Sequence, residues 1–128
     1  MTNILEYKII LDIKIADDKL ALKFITNEGE IIARCYGECC SSTWIENVEL
    51  PAGGFPARVF KVDKLDLNKT DERNDEHECI SFYGFKITTN KGDIIIDYRN
   101  SSNGYYGGDL SWDYDKNISK ENWIEIKN

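Results

Sequence analysis

The sequence is poor in the residue on which many catalytic sites depend. It contains a single histidine, His77, which lies in an acidic run. Because histidine commonly supplies the base that activates a serine or cysteine nucleophile, this scarcity argues against a triad. A dyad of His77 with Cys39 or Cys40 stays open, although no spacing motif supports it. The glycine-rich stretches "GGFP" and "GYYGG" match no phosphate-binding loop, and we expect a non-enzymatic protein.

Long apolar runs are also absent. The opening stretch "MTNILEYKIILDIKIADDK" has neither a basic leader region nor an uninterrupted apolar core, so we expect no signal peptide and no membrane segment. A cytoplasmic location follows as an expectation. Thiols stay reduced in that compartment, and the four cysteines therefore do not imply two disulfides.

Basic residues are outnumbered, with 16 lysines and arginines against 23 aspartates and glutamates, a net charge of −7. This charge repels phosphate backbones and argues against direct nucleic-acid binding. A basic or nucleic-acid-binding protein is a better partner, and the alternative is that surplus acid serves only solubility. The apolar fraction of 41% and fifteen aromatic residues are typical of a folded chain, for which we expect one domain over residues 1–128. Composition leaves its oligomeric state open.

Helical periodicity is almost missing, and alternation of apolar and polar residues takes its place. The pattern predicts eight or nine short strands, within 9–15, 20–24, 31–35, 43–50, 58–65, 78–89, 93–100, 109–114 and 123–126. The segment "PAGGFP" should be a connection, 119–122 the single short helix, and the acidic run 71–78 a solvated loop. We expect no internal repeat. The fold class is mainly β: an antiparallel sandwich or a partly open barrel with at most one short helix.

The stretch "RNSSNGYYGGDLSW" is the best candidate for a binding site. Asn103 and Gly104 favour a tight turn, so that residues 93–102 should return along residues 105–114 as a hairpin. Two adjacent tyrosines in an extended segment face opposite ways, which exposes at least one of them. The predicted binding residues are Arg99, Asn100, Ser102, Asn103, Tyr105 and Tyr106. They fit a protein partner or, alternatively, a nucleotide-like ligand whose polar groups Arg99 and Asn100 would hold while a tyrosine stacks on the base.

The cysteines allow two interpretations. The zinc candidates are Cys35, Cys39, Cys40, His77 and Cys79, which would complete a tetrahedral site if the distant parts of the chain meet. The usual C-x₂-C knuckle is absent, however, and adjacent cysteines in a strand point to opposite faces. We expect no cofactor and four cysteines that pack separately, as small apolar residues do.

Two separated stretches carry a resemblance to a known family. "YGECCSSTWIENV" (36–48) and "KITTNKGDIIIDYRNSSNGYYGG" (86–108) together resemble a family of small uncharacterised bacterial and phage proteins, over roughly residues 9 to 112. The departures are "PAGGFP" in place of a helical acidic segment and Gly107-Gly108 in place of a serine-acid pair. The resemblance implies a shared fold and a phage-associated setting, and it implies no activity. The leading hypothesis is an inhibitor, antidefence or immunity-type factor that binds a cytoplasmic macromolecule through Tyr105, Tyr106 and nearby acids. It rests on the absence of a catalytic set beside these aromatic residues and on an acidic surface that could imitate nucleic acid.

Overall fold

A computed structural model describes residues 4–37, 42–72, 79–102, 108–112 and 122–126, with the backbone alone at 36–37, 66–72, 79–82, 102 and 108–109. Nine strands follow one another along the described chain, and none of these residues is helical. The strands are β1 (Ile9–Ala16), β2 (Ala21–Thr26), β3 (Gly29–Gly37), β4 (Ser42–Glu49), β5 (Ala57–Glu72), β6 (Cys79–Thr89), β7 (Gly92–Ser102), β8 (Gly108–Ser111) and β9 (Trp123–Glu125). The prediction of eight or nine strands is confirmed, with nine among the described residues.

All strand pairs are antiparallel, and they form one sheet in the order β4-β7-β6-β5-β1-β2-β3-β8, with β9 beside β1. The sheet curls so that its two halves share one apolar core. Trp112, just after β8, contacts Phe24 of β2 at 5.4 Å and Phe85 of β6 at 5.3 Å between ring centroids. No pairing joins β4 to β8 within the described residues. The mainly β prediction is therefore confirmed, as an open sheet that does not close into a barrel.

Two local expectations are wrong. We predicted that residues 93–102 would form a hairpin with residues 105–114, but β8 pairs with β3, through Cys35 opposite Leu110. Both edges of β7 are already occupied, by β6 on one side and β4 on the other. The acidic run also begins inside a strand, because β5 continues to Glu72, which lies opposite Cys79. Of the expected helix at 119–122, only Asn122 is described, and it is not helical.

The expectation of no internal repeat is wrong as well. "KFITNEGEII" (23–32) and "KITTNKGDII" (86–95) are identical at six of ten positions, and they form equivalent hairpins, β2–β3 and β6–β7. In each, the threonine hydroxyl donates to the carbonyl of the glycine three residues on, at 2.7 Å and 2.6 Å. Both glycines, Gly29 and Gly92, have positive φ, near +114° and +120°, a conformation that favours glycine.

The two hairpins also hold their neighbouring strands in the same way. Asn27 exchanges hydrogen bonds with the backbone of Ile9, accepting from its N–H at 3.0 Å and donating its own N–H to its carbonyl at 3.0 Å. Asn90 does the same with Arg58, at 2.8 Å and 3.1 Å. Ile9 and Arg58 lie opposite each other where β1 meets β5. The chain therefore has a pseudo-twofold arrangement with this strand junction at its centre.

Further details repeat across the junction. The strand registers shift after Ile10 in β1 and after Val59 in β5, and the residue at each shift is an apolar side chain that is 47% exposed, Leu11 and Phe60. A bulge explains this exposure, because the extra residue leaves the alternation that would bury it. The sheet therefore contains two equivalent three-stranded units, β1–β3 and β5–β7.

Candidate functional site

The residues predicted to bind at the end of β7 are only partly described. Arg99 and Asn100 are described in full, and Ser102 is the last residue of β7, with its backbone alone described. Asn103, Tyr105 and Tyr106 lie outside the described residues. Their part of the binding prediction stays a prediction.

Arg99 lies on the outer face of the sheet within a polar cluster. Its Nη1 is 3.8 Å from Glu46 Oε1, and its Nη2 is 3.3 Å from Asp97 Oδ2. The indole Nε1–H of Trp44 donates to Glu46 Oε2 at 2.8 Å. These contacts fix the position of the Glu46 carboxylate from two sides.

Asn100 points the other way, into the core. It is fully buried, and its Nδ2 donates to Thr43 Oγ1 at 2.9 Å. It continues the inward series of Ile94, Ile96 and Tyr98, because alternate residues of a strand share a face. Arg99 and Asn100 therefore cannot hold one ligand group from the same surface. The alternation of side chains along β7 is enough to predict that Arg99 and Asn100 point to opposite faces. The assignment of both residues to one ligand did not take this alternation into account.

The residues of the possible zinc site are also only partly described. Cys35 is described in full, Cys79 by its backbone at the start of β6, and Cys39, Cys40 and His77 lie outside the described residues. Burial raises the pKa of the Cys35 thiol to about 12, while Arg34 opposes this rise and Asp18 adds to it. A thiol with so high a pKa stays protonated and is a poor nucleophile at neutral pH. No cluster of three or more histidine, cysteine or acidic side chains suited to a metal ion occurs among the described residues.

The structure shows a groove that the sequence did not predict, between β4 and β9. This β4–β9 groove has a volume of about 510 Å³ and is lined by Ile15, Glu46, Asn47, Val48, Ile124, Glu125 and Ile126. Val48 is a core residue, and Ile15 and Ile126 pack against the core. Ile124 is 49% exposed. The groove therefore combines partly buried apolar side chains with the carboxylates of Glu46 and Glu125.

One wall of the groove is β9, which is held against β1. Ile124 lies opposite Ile15, and Glu125 opposite Lys14. The carbonyl of Asn122 accepts from the N–H of Asp17 at 2.9 Å. Trp123 packs on a small outer cluster around Ala16, and Lys23 Nζ lies 4.9 Å from its ring centroid. Apolar packing, backbone hydrogen bonds and a cation–π contact thus fix this wall.

The other wall is β4, whose pairing with β7 shifts register between Ile45 and Asn47. The N–H of Ile45 donates to the carbonyl of Lys19 at 2.9 Å, so it points away from β7. Within the described residues, β4 pairs with no strand other than β7, and β9 with no strand other than β1. Within the described residues, β4 and β9 thus each pair with one strand of the sheet.

No sequence signal marked this groove. The alternating pattern predicted β4 and β9 as strands, but their residues lie far apart in the chain and neither contains a binding motif. The groove depends on which strands pair and on where the sheet stays open, and those are long-range properties.

The described residues contain no helix of the length and apolar character that crossing a membrane requires. No curated protein and no solved structure matches this chain. The sequence profile of a family described as a domain of unknown function (DUF7448) matches residues 3–112, most of the chain. The chain therefore belongs to the DUF7448 family.

Proposed function

We propose that this chain is a non-enzymatic interaction protein that binds a basic cytoplasmic macromolecule. The observation that carries the proposal is the β4–β9 groove, in which the half-exposed Ile124 and the partly buried Ile15 and Ile126 lie beside Glu46 and Glu125. Exposed apolar surface with a polar rim is typical of sites that bind a partner. Among the described residues, the lining contains no histidine, cysteine, serine or lysine.

The chemistry of the neighbouring residues agrees with binding. Glu46 is held in place by Trp44 and Arg99, so its carboxylate is oriented before a partner arrives, which lowers the entropic cost of binding. The net charge of −7 attracts a basic partner from a distance and accelerates its encounter. The raised pKa of Cys35 keeps this thiol in its unreactive form.

The biological setting belongs to the same proposal. The resemblance to small bacterial and phage proteins, together with an acidic surface that could imitate nucleic acid, supports a phage-associated inhibitor, antidefence or immunity-type factor. Such a factor would act in the cytoplasm on a nucleic-acid-binding protein of the host. The segment that contains Tyr105 and Tyr106 would supply a second contact.

A small-ligand binder is the second candidate, because the groove volume of about 510 Å³ falls within the usual range for ligand pockets. A nucleotide is a poor fit to this groove, since Glu46 and Glu125 would repel its phosphates. A thermal-shift screen against nucleotides and metabolites tests this candidate. A ligand at a hundredfold excess over its Kd would stabilise the fold by about 2.7 kcal/mol.

Affinity capture tests the leading proposal. The immobilised chain is incubated with bacterial lysate, and the bound proteins are identified by mass spectrometry. We expect a small set of basic proteins that the Tyr105→Ala/Tyr106→Ala variant loses. Identical partner sets for wild type and variant would exclude Tyr105 and Tyr106 as contacts. The absence of any specific partner would refute the proposal.

A further inference from the structure

We propose that the outer face of the sheet at the β1–β5 junction docks a segment of a partner protein in which one carboxylate lies between two apolar side chains. This β1–β5 patch consists of six residues of the two strands and of the segments just before them: Tyr7, Ile9, Leu11, Pro56, Arg58 and Phe60. It shares no residue with the lining of the β4–β9 groove. The inference therefore goes beyond the proposed function and concerns a second surface.

The pairing of β1 with β5 sets the direction of the side chains in the patch. Ile10 and Ala57 lie opposite each other, and both are fully buried. Ile9 and Arg58 form the adjacent pair. Because successive residues of a strand face opposite sides, these two side chains point away from the core.

Apolar side chains flank the Ile9–Arg58 pair on both sides. Leu11 is two residues beyond Ile9 and Phe60 two residues beyond Arg58, so the antiparallel strands place them about 7 Å to either side of the pair. Each is 47% exposed, and each lies at a register shift of its strand. Pro56, two residues before Arg58, is also exposed and lies on the Leu11 side.

Tyr7 adds a second aromatic residue beside Phe60. Its N–H donates to the carbonyl of Val59 at 2.9 Å, and the N–H of Val59 donates to the carbonyl of Lys8 at 2.9 Å. Tyr7 has a φ near +68°, which is uncommon for a residue with a bulky side chain, and it is 68% exposed. Three of the five large apolar residues that are exposed in the described chain thus belong to one patch, as is typical of a docking surface.

Arg58 gives the patch a positive charge at its centre. Its side chain is exposed and forms no ion pair within the described residues. The nearest carboxylates of the two strands, Asp12 and Asp63, each lie beside a lysine of their own strand, at 3.8 Å and 3.4 Å. Glu6, which precedes Tyr7, forms no ion pair with Arg58 either. The guanidinium is therefore available to a carboxylate from outside the chain.

The composition of the patch determines the partner that fits. Arginine and aromatic residues are enriched in protein interfaces, and a guanidinium binds a carboxylate through two parallel hydrogen bonds. A fitting segment carries one aspartate or glutamate with apolar residues two positions before and after it, which matches the spacing of about 7 Å in the patch. The net charge of −7 repels nucleic acid and densely acidic proteins, whereas it affects a single carboxylate less because salt screens distant charges.

Nuclear magnetic resonance titration tests the inference with the ¹⁵N-labelled chain and seven-residue peptides. The first peptide has a central aspartate, leucine two positions before and after it, and serine elsewhere. The second replaces the aspartate by asparagine, and the third replaces both leucines by serine. We expect the leucine–aspartate peptide to shift the amide signals of Ile9, Leu11, Arg58 and Phe60, and the other two to bind at least about threefold more weakly. Equal binding of the asparagine peptide would overturn the inference, and so would the absence of shifts at about 5 mM leucine–aspartate peptide.

Matched variants locate the site. Arg58→Gln and Phe60→Ser should each weaken the leucine–aspartate peptide about three- to tenfold. The controls are Lys91→Gln, which makes the same change in net charge at an exposed turn, and Ile124→Ser, which removes an apolar side chain of similar exposure, 49% against 47%. Both controls should bind within about twofold of wild type. Equal weakening by either control would contradict the assignment to the patch, and circular dichroism verifies that each variant is folded.

A charge swap separates recognition from a general loss of structure. A peptide with lysine in place of the central aspartate should bind Arg58→Glu at least about threefold more tightly than it binds wild type. Equal affinity of the lysine peptide for the two proteins would show that Arg58 does not contact the centre of the segment, and the inference would fail.

A second copy of the chain and a nucleic acid are the alternative occupants of the patch. Sedimentation velocity should show that the chain alone is a monomer. A dimer that Phe60→Ser dissociates would overturn the proposal in favour of self-association. Binding of a labelled oligothymidine that Arg58→Gln abolishes would overturn it in favour of nucleic acid. None of these results bears on the capture of basic proteins that tests the proposed function, so the two proposals fail separately.

Discussion

Asn100 is a buried polar side chain whose hydrogen bonding is incomplete. Its Nδ2 donates to Thr43, but its Oδ1 has no partner among the described residues. A buried acceptor without a partner costs about 1–3 kcal/mol, comparable to the loss of a hydrogen bond from a buried group. Its net contribution to stability is therefore small, and the effect of a substitution depends on the shape of the replacement.

We predict that Asn100→Ala lowers the free energy of unfolding by about 2–3 kcal/mol, because it removes the bond to Thr43 and leaves a cavity. Asn100→Leu should cost less, since it fills the space and removes the unpaired Oδ1. Urea unfolding measures both changes. In a double-mutant cycle, Thr43→Val should cost less in the Asn100→Leu background than in wild type. A leucine variant as unstable as the alanine variant would show that a cavity does not account for the cost of Asn100→Ala.

Cys35 gives a prediction for alkaline pH. Burial raises the pKa of its thiol from 9.0 to about 12 in the folded protein. Between these values the unfolded chain loses the proton and the folded chain keeps it, so the free energy of unfolding falls as the pH rises through this window. Cys35→Ala lacks this dependence. Between about pH 8 and about pH 10.5, the free energy of unfolding of wild type should therefore fall relative to that of Cys35→Ala. Urea unfolding measures both values. A constant difference would show that the Cys35 thiol titrates normally.

At the scale of elements, the two equivalent hairpins carry the clearest prediction. Asn27 accepts from the N–H of Ile9 and Asn90 from that of Arg58, at the two opposed residues of the β1–β5 junction. Asn27→Ala and Asn90→Ala should each lower the free energy of unfolding by about 0.5–1.5 kcal/mol, and by similar amounts. Thermal and urea unfolding test this equality. A large loss of stability in one variant with none in the other would show that the two asparagine contacts do not contribute equally to stability.

The hairpins also show why the alternation of apolar and polar residues did not reveal the internal repeat. The shared residues, from Lys23 and from Lys86 onward, cover only ten positions, and the strands before them are separated from them by connections of different length. Composition and periodicity do not align such segments. The equivalence becomes clear through the hydrogen bonds of Asn27 and Asn90, which join residues distant in the chain.

At the scale of the whole molecule, the division of the cysteines leads to a prediction about metal. Cys35 lies in β3 and Cys79 begins β6, and these strands are not neighbours in the sheet. We predict that purified protein carries no stoichiometric zinc and that Cys79→Ser costs about 1–3 kcal/mol, as expected for burying a hydroxyl without a full set of partners. Elemental analysis and urea unfolding measure the two quantities. One zinc per chain, lost in both Cys35→Ser and Cys79→Ser, would contradict the prediction.

The candidate site was less predictable than the fold. Local alternation placed Glu46 on β4 and Glu125 on β9, but nothing in the sequence indicated that these strands would face each other across an opening. The binding site predicted from the sequence, by contrast, rested on turn residues and adjacent tyrosines. The hairpin expected there does not form, because β4 and β6 occupy both edges of β7.

The sequence by itself determined the strand content, the tight turns at Asn27 and Asn90, and the antiparallel meander β1–β2–β3. Alternation of side chains and turn chemistry act between residues that are near in the chain, and a short window of sequence contains them. The tertiary structure alone decided that β8 pairs with β3, that β9 pairs with β1, and that the sheet stays open between β4 and β8. Those outcomes depend on competition among strand edges for partners and on how the shared core fills, and both involve the whole chain at once.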